Sequence, residues 1–262
     1  MAQNEMTATL DFTAWMARWD AQQAGYLTDR EERFQLMFDA LEAITGGGPV
    51  TAIDLAAGPA SLAVRLLDRL PGSRVVAVDV DPVLLALGRG AYGDREGLTL
   101  VTADLRDPGW TSALPAGPYD AVLSTTALHW LGEGDIRRLY RDLAGLLRPG
   151  GAFLDGDHLR FGAGREPLAA AASAMTARTR ARRRGPELPA AAETWTEWWD
   201  AVRAEPALAD AMAARDRLGH AHPHGRQDLS DEEHGRLLVE SGFAAAGALW
   251  QQGDDRVLAA IR

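Results

Sequence analysis

The sequence predicts an α/β protein built on a doubly wound, mostly parallel sheet. Short apolar, strand-like runs alternate with helix-period segments between positions 50 and 158, successive runs end in polar side chains, and a loop of small residues separates the first run from its helix. Before this core lies a helical arm and after its fifth strand a helical insertion, giving three segments: 1–45, 46–158 with 229–262, and 159–228.

The arm is read from apolar spacing. Phe12, Trp15, Met16 and Trp19 recur at helical intervals, and Phe34, Met37, Phe38 and Leu41 form a second stripe that stops before Gly46-Gly47-Gly48-Pro49. Most of these side chains are expected in the core.

In the core, Ala52-Ile53-Asp54 is an apolar strand ending in an acid, followed by Leu55-Ala56-Ala57-Gly58-Pro59-Ala60 and a helix from Ser61. Side chains this small let a ligand approach the backbone, and the free N–H groups of the next helix attract negative charge. The pattern predicts a nucleotide-cofactor cradle. The next strand, Arg74 to Val78, ends in Asp79-Val80-Asp81-Pro82, roughly 20 residues beyond the loop, where an acid can bind ribose hydroxyls. A third strand, Leu98 to Ala103, runs into Asp104-Leu105, and a fourth, Tyr119 to Ser124, into Thr125 and the segment through His129-Trp130. The carboxyl ends of such strands share one crevice, the usual ligand site of open parallel sheets.

The insertion is alanine-rich. It contains a helix from near Pro167 to the basic run Arg178–Arg184, the turn Gly185-Pro186-Glu187-Leu188-Pro189, and Trp195, Trp198 and Trp199. Its place after the fifth strand sets it beside the carboxyl edge of the sheet, as a roof. Trp195 and Trp199, one helical turn apart, either line that roof or bind the insertion to the core.

Together these motifs resemble the class I S-adenosylmethionine-dependent methyltransferases, from about Val50 to His158 and again in the C-terminal tail. The family's loop usually reads Asp-Leu-Gly-x-Gly-x-Gly; Asp54–Ala60 keeps only the middle glycine, Gly58, with alanine at 56 and 60. One added methyl fits if neither alanine needs a positive φ. The resemblance implies a Rossmann-like core in which Leu146–Leu154 turns into the fifth strand and Phe243–Arg262 forms a closing antiparallel hairpin. It implies S-adenosylmethionine as cofactor and S-adenosylhomocysteine as product. Asp79, with Val80 beside it, would hold the ribose, Asp104 the adenine amino group, and Leu105 the face of the ring. Asp54 would help hold the methionine amino end at Ala56 and Gly58, with Ser124 and Thr125 lining the crevice. In this family the arm often covers cofactor and substrate, which makes Trp15, Trp19, Tyr26 and Arg33 candidate lid residues. The alternatives are core packing for the tryptophans and, for Arg33, a surface pair with Asp29, Glu31 or Glu32.

His129, in Ala127-Leu128-His129-Trp130-Leu131, resembles the small-molecule, trans-aconitate-type branch of the family and is the first candidate base. Alternatively it anchors the loop with Trp130 packed beneath it, because alignment of nucleophile, carbon and sulfur can supply much of the rate. Trp130 is also a substrate-contact candidate, and His158, after Asp155-Gly156-Asp157, is a second candidate base. His220, His222 and His224 flank Pro223, which prevents one regular face, so no metal site is expected.

Composition agrees. A chain of 262 residues, 47% hydrophobic, can bury a sizeable core, and a formal net charge of -10 opposes nucleic-acid binding. The basic run at 178–184 reads as a solvated helix C-terminus. Cysteine is absent, excluding disulfides and thiolate catalysis. Neither a signal-peptide pattern nor a membrane-length apolar run is found, so the cytoplasm is the expected location, with monomer and homodimer both open. A dinucleotide-dependent oxidoreductase would want Gly-x-Gly-x-x-Gly, which this loop lacks. The expected activity is O- or N-methylation of a small molecule, with the alanine, arginine and glycine bias compatible with a secondary metabolite. A catalytically silent S-adenosylmethionine-binding module is the alternative.

Overall fold

The computed structural model describes residues 10–27, 29–184, 193–219 and 229–262. Helices α1 (Phe12–Tyr26) and α2 (Arg30–Thr45) form the arm. Asp11 caps α1 by accepting from Ala14 N at 2.9 Å, and Gly46, left-handed at φ 90°, ends α2.

The core then alternates β1 (Thr51–Leu55), α3 (Ser61–Arg69), β2 (Arg74–Asp79), α4 (Pro82–Tyr92), β3 (Leu98–Thr102), β4 (Tyr119–Thr125), α5 (Glu133–Leu146) and β5 (Leu147–His158). The insertion supplies α6 (Glu166–Arg184), α7 (Trp195–Ala204) and α8 (Ala209–Leu218), and the chain closes with α9 (Asp231–Glu240), β6 (Ala245–Gln252) and β7 (Asp255–Ile261). The described strands form one seven-stranded sheet in the order β3-β2-β1-β4-β5-β7-β6. The first five run parallel, and β7 is antiparallel to both β5 and β6. Because the strand order reverses between β1 and β4, a crevice opens at their carboxyl ends.

Each face of the sheet buries its own cluster. Ile53, Val78, Val122 and Phe153 pack with Leu139 and Leu143 of α5 and Leu237 and Leu238 of α9. On the other face Ala52, Ala77, Leu123 and Leu154 meet Phe34 and Phe38 of α2 and Leu62 and Leu66 of α3. A third cluster joins arm, α4 and insertion: Trp15 and Trp19 stand edge-on to Trp198, with ring centroids 5.8 and 5.1 Å away, beside Leu84, Leu87 and Met212. The arm is also tied to the start of α3, where Asp20 accepts from Arg30, Ser61 and Arg65.

Helix α6 begins at Glu166 and ends in the basic run, with Arg178 and Arg182 exposed. The turn at 185–189 and the histidines at 220, 222 and 224 lie outside the described residues.

Candidate active site

The loop after β1 departs from the simplest expectation. Ala56 and Ala60 both adopt positive φ, 50° and 69°, as does Gly58 at 55°. The chain accepts the left-handed backbone at two alanines because neighbouring bonds fix it: Ala57 N donates to Val78 O and Ala60 N to Ala57 O. Asp54, below the loop, accepts from Ala63 N in the first turn of α3 through Oδ2, while its Oδ1 is buried with no partner. Burial, with the Asp79 charge adding to it against that hydrogen bond, pushes Asp54 up to about 8.

At the tip of β2 the Asp79 carboxylate accepts from Gly58 N through Oδ2 and from Asp81 N through Oδ1, both at 2.7 Å. Burial is its largest influence and, less the relief from those amides, raises it to about 6. Val80 follows, and Asp81 caps α4 by accepting from Val83 N and Leu84 N. Asp104, beyond β3, is half-buried and held below the ordinary carboxylate value chiefly by Arg106; Leu105 behind it is buried. Ser124 donates to Leu55 O, and Thr125 Oγ1 accepts from Arg33 Nη2 at 2.9 Å.

The residues fit a nucleotide that carries an amino-acid cation. Acids stand at three successive strand tips around the Gly58 loop, and one buried carboxylate oxygen there lacks a donor. No metal-ligating cluster of His, Asp and Glu occurs among the described residues.

The lid candidates are placed unequally. Trp19 Cζ2 lies 3.7 Å from where a Cβ on Gly58 would stand, so the arm reaches the loop. Trp15 and Trp19 are otherwise buried against Trp198. Tyr26 is half exposed and its hydroxyl accepts from Trp195 N at 3.0 Å, joining arm to insertion. Arg33 makes no surface pair with Asp29, Glu31 or Glu32. It is wholly buried, donating to Asp255 Oδ1 of β7 at 2.8 Å as well as to Thr125. Trp195 is exposed and stacks edge-on with Trp199, whose ring also carries the Arg215 guanidinium 3.8 Å above it. Arg215 Nε in turn donates to Asp81 Oδ2 at 2.6 Å, pinning α8 next to Asp79.

Trp130 is not packed beneath His129. It is 49% exposed, with its ring centroid 5.0 Å from the imidazole. His158 Nδ1 lies 3.6 Å from Asp254 Oδ2, which raises the imidazole above its ordinary value and lowers Asp254 to about 2. His158 lines a small cavity with Asp29, Thr176, Gln252 and Asp255, where the insertion meets the end of β5.

Comparison with known proteins decides the family. Residues 52–151, which run from β1 to the start of β5 and include Asp54, Gly58, Asp79, Asp104 and His129, match the methyltransferase domain family. Over those residues the core is a methyltransferase domain. Trans-aconitate 2-methyltransferase of Azoarcus sp. is 35% identical over 136 residues, 52% of this chain and 49% of that protein. The enzyme of the same name from Methylobacterium nodulans is 31% identical over 178 residues, 63% and 64% of the two chains. The chain thus spans about half the length of the first of these relatives. Among solved structures, the N-methyltransferase NodS of Bradyrhizobium japonicum with S-adenosyl-L-homocysteine has a TM-score of 0.51 at 12% identity, over 88% of this chain and 86% of that one. An O-methyltransferase family protein of Burkholderia thailandensis has 0.50 at 17%, over 92% and 62%. At such identities these two report the fold. The methyltransferase match bears out the family, enzyme class and cofactor read from the motifs, and sets the dinucleotide oxidoreductase aside.

Within the methyltransferase domain and its flanks, sequence reading assigned no role to Asp157, Asp255 or Arg215. Alternation along β5 could have placed Asp157 on one face with Phe153 and Asp155; the Arg33–Asp255 pair, 222 positions apart, left no local signal.

Proposed function

We propose that the protein transfers a methyl group from S-adenosylmethionine to an oxygen or nitrogen of a small molecule, such as a secondary metabolite. The carrying observation is the set of acids at three strand tips around the Gly58 loop, two of them lifted by burial to values that a bound cation would lower again. In this reading Asp79 and Val80 hold the ribose, Asp104 and Leu105 the adenine, and Asp54 with the backbone at Ala56 and Gly58 the methionine end. Ser124 and Thr125 form the wall next to the sulfur. When bound, the cofactor supplies a methyl carbon already activated by a sulfonium, so the chain's own task is largely alignment and exclusion of water.

The arm and insertion perform that exclusion. Trp19 covers the loop, Tyr26 joins the arm to the insertion at Trp195, and Arg215 closes α8 onto Asp81. Trp130, Trp195 and Trp199 are the aromatic surfaces offered to an acceptor, and His129 and His158 are the groups that can take its proton.

Trans-aconitate, the compound for which the relatives are named, is one acceptor to assay. A crystal structure with S-adenosylhomocysteine tests the assignment: it is expected to show Asp79 hydrogen-bonded to both ribose hydroxyls and Asp104 to the adenine amino group. Those carboxylates facing away from the nucleotide would overturn it.

A further inference from the structure

Helix α1 crosses the carboxyl edge of the sheet. Toward its middle Trp19 reaches the Gly58 loop, and Asp20 Oδ1 accepts from Ser61 Oγ at the start of α3, 3.0 Å away. Past its C-terminus Leu27 lines the small cavity beside His158 and Asp255, and Asp29 Oδ2 accepts from Gln252 Nε2 at 3.0 Å, so the chain has arrived at the tips of β5, β7 and β6. Between these anchors the helix passes over the reversal of strand order between β1 and β4. Gln22 sits on that path, about 4.5 Å along the helix axis from Trp19, which is about one strand spacing from the loop.

Gln22 belongs to the buried face of α1 with Trp15, Met16 and Trp19, and is 1% exposed. Its Oε1 accepts from Gln23 Nε2 at 2.7 Å, which sets the orientation of the amide, because a flipped group would turn N–H against N–H. Nε2 is therefore the inner end, and it is buried with no hydrogen-bond partner among the described residues. Asp54 Oδ1, at the end of β1, is likewise buried and unpartnered. A buried polar group without a partner destabilises the fold that holds it, so each such atom at a crevice calls for a ligand. An unmet donor and an unmet acceptor on either side of one crevice complement a zwitterion, the donor facing a carboxylate and the acceptor an ammonium.

Resting on the methyltransferase reading above, we propose that Gln22 is a cofactor-binding residue, its Nε2 donating to the carboxylate of the amino-acid end of S-adenosylmethionine while the ammonium lies at Asp54. A neutral amide recognises that carboxylate without pairing with Asp54 or Asp79, which stay available to the ammonium and the ribose. The bond also ties the arm to the nucleotide. Only a ligand that carries the carboxylate fastens α1 over the crevice.

The experiment is calorimetric titration of the parent, Gln22→Met and Gln22→Glu with S-adenosylhomocysteine and with its decarboxylated analogue, which keeps the nucleoside, the sulfur and the amino group. Absence of S-adenosylhomocysteine binding by the parent overturns the methyltransferase reading itself. With that binding established, the parent is expected to prefer S-adenosylhomocysteine to the analogue about 10- to 100-fold, the range for a hydrogen bond to a charged group. Gln22→Met, which keeps the length of the side chain and loses the donor, is expected to weaken S-adenosylhomocysteine by about the same factor and to leave the analogue within about twofold. Gln22→Glu sets two carboxylates together and is expected to weaken S-adenosylhomocysteine further. Thermal melts without ligand are expected to show Gln22→Met at least as stable as the parent, since the donor it removes is unpartnered. Hydrogen exchange gives a second readout that needs no acceptor: S-adenosylhomocysteine is expected to slow the α1 amides of the parent more than the analogue does. A parent that binds the two ligands equally, a substitution that weakens both alike or neither, or equal protection of α1 by the two would each overturn the proposal while leaving the methyltransferase reading in place.

Discussion

Arg33 Nη1 lies 2.8 Å from Asp255 Oδ1 while Nη2 of the same guanidinium holds Thr125, so a single buried cation links the arm to β7 and to the tip of β4. The side chain reaches that position along Gly156, where an added Cβ would stand 3.0 Å from Arg33 Cδ.

Removing this cation leaves Asp255 unpaired. Arg33→Met is expected to destabilise the fold by about 3–5 kcal/mol, and Arg33→Met with Asp255→Leu by clearly less, because a buried pair costs most when only one partner is lost. Urea unfolding of both variants measures the difference.

Gly58 carries a graded prediction. At φ 55° an added Cβ would meet Leu84 and Trp19 only at 3.7 Å, so Gly58→Ala is expected to cost about 1 kcal/mol, the backbone penalty alone. Gly58→Val adds a branched side chain against Trp19 and is expected to cost more than about 2 kcal/mol. Thermal melts in the absence of cofactor separate the two.

The pH dependence follows from Asp79 and Asp54. Their folded values, about 6 and about 8, lie above the ordinary carboxylate value. Between pH 4 and those values the folded apoprotein keeps protons that the unfolded chain has lost. Stability therefore falls as pH rises from about 4, first through about 6 and then towards about 8, by amounts on the order of a few kcal/mol. Cofactor affinity should move the other way below pH 6, since ribose hydroxyls bond best to an ionised Asp79. Denaturation and calorimetry at pH 5, 6, 7 and 8 check both slopes.

Arg215 of the insertion joins Asp81, two residues beyond Asp79, to Trp199. Arg215→Gln is expected to cost about 1–2 kcal/mol locally. Hydrogen exchange should show this as faster exchange of the α8 amides, with those of β1 and β4 unchanged.

Much of the architecture was legible because it is local. The apolar runs ending in Asp54, Asp79 and Asp104 become β1, β2 and the turn after β3, and the stripes at Phe12–Trp19 and Phe34–Leu41 become α1 and α2. What escaped was set by register and by long-range packing. The positive φ of Ala56 and Ala60 depends on backbone bonds to β2 and within the loop itself. The exposure of Trp130 and the pairing of His129 with Asp157 depend on how β4 and β5 align. Trp198, between its two exposed-side neighbours, proved to be the buried anchor because the arm packs Trp15 and Trp19 onto it. No described helix is long and apolar enough to cross a membrane.

The central claim, that acids at the strand tips grip S-adenosylmethionine, is tested most directly by calorimetric titration of that compound into the parent protein and into Asp79→Asn. One site per chain in the parent, weakened at least about tenfold by the substitution, is the predicted result, in line with the loss of a charge-assisted ribose bond. No binding heat in the parent, or equal affinity in the two proteins, would contradict it.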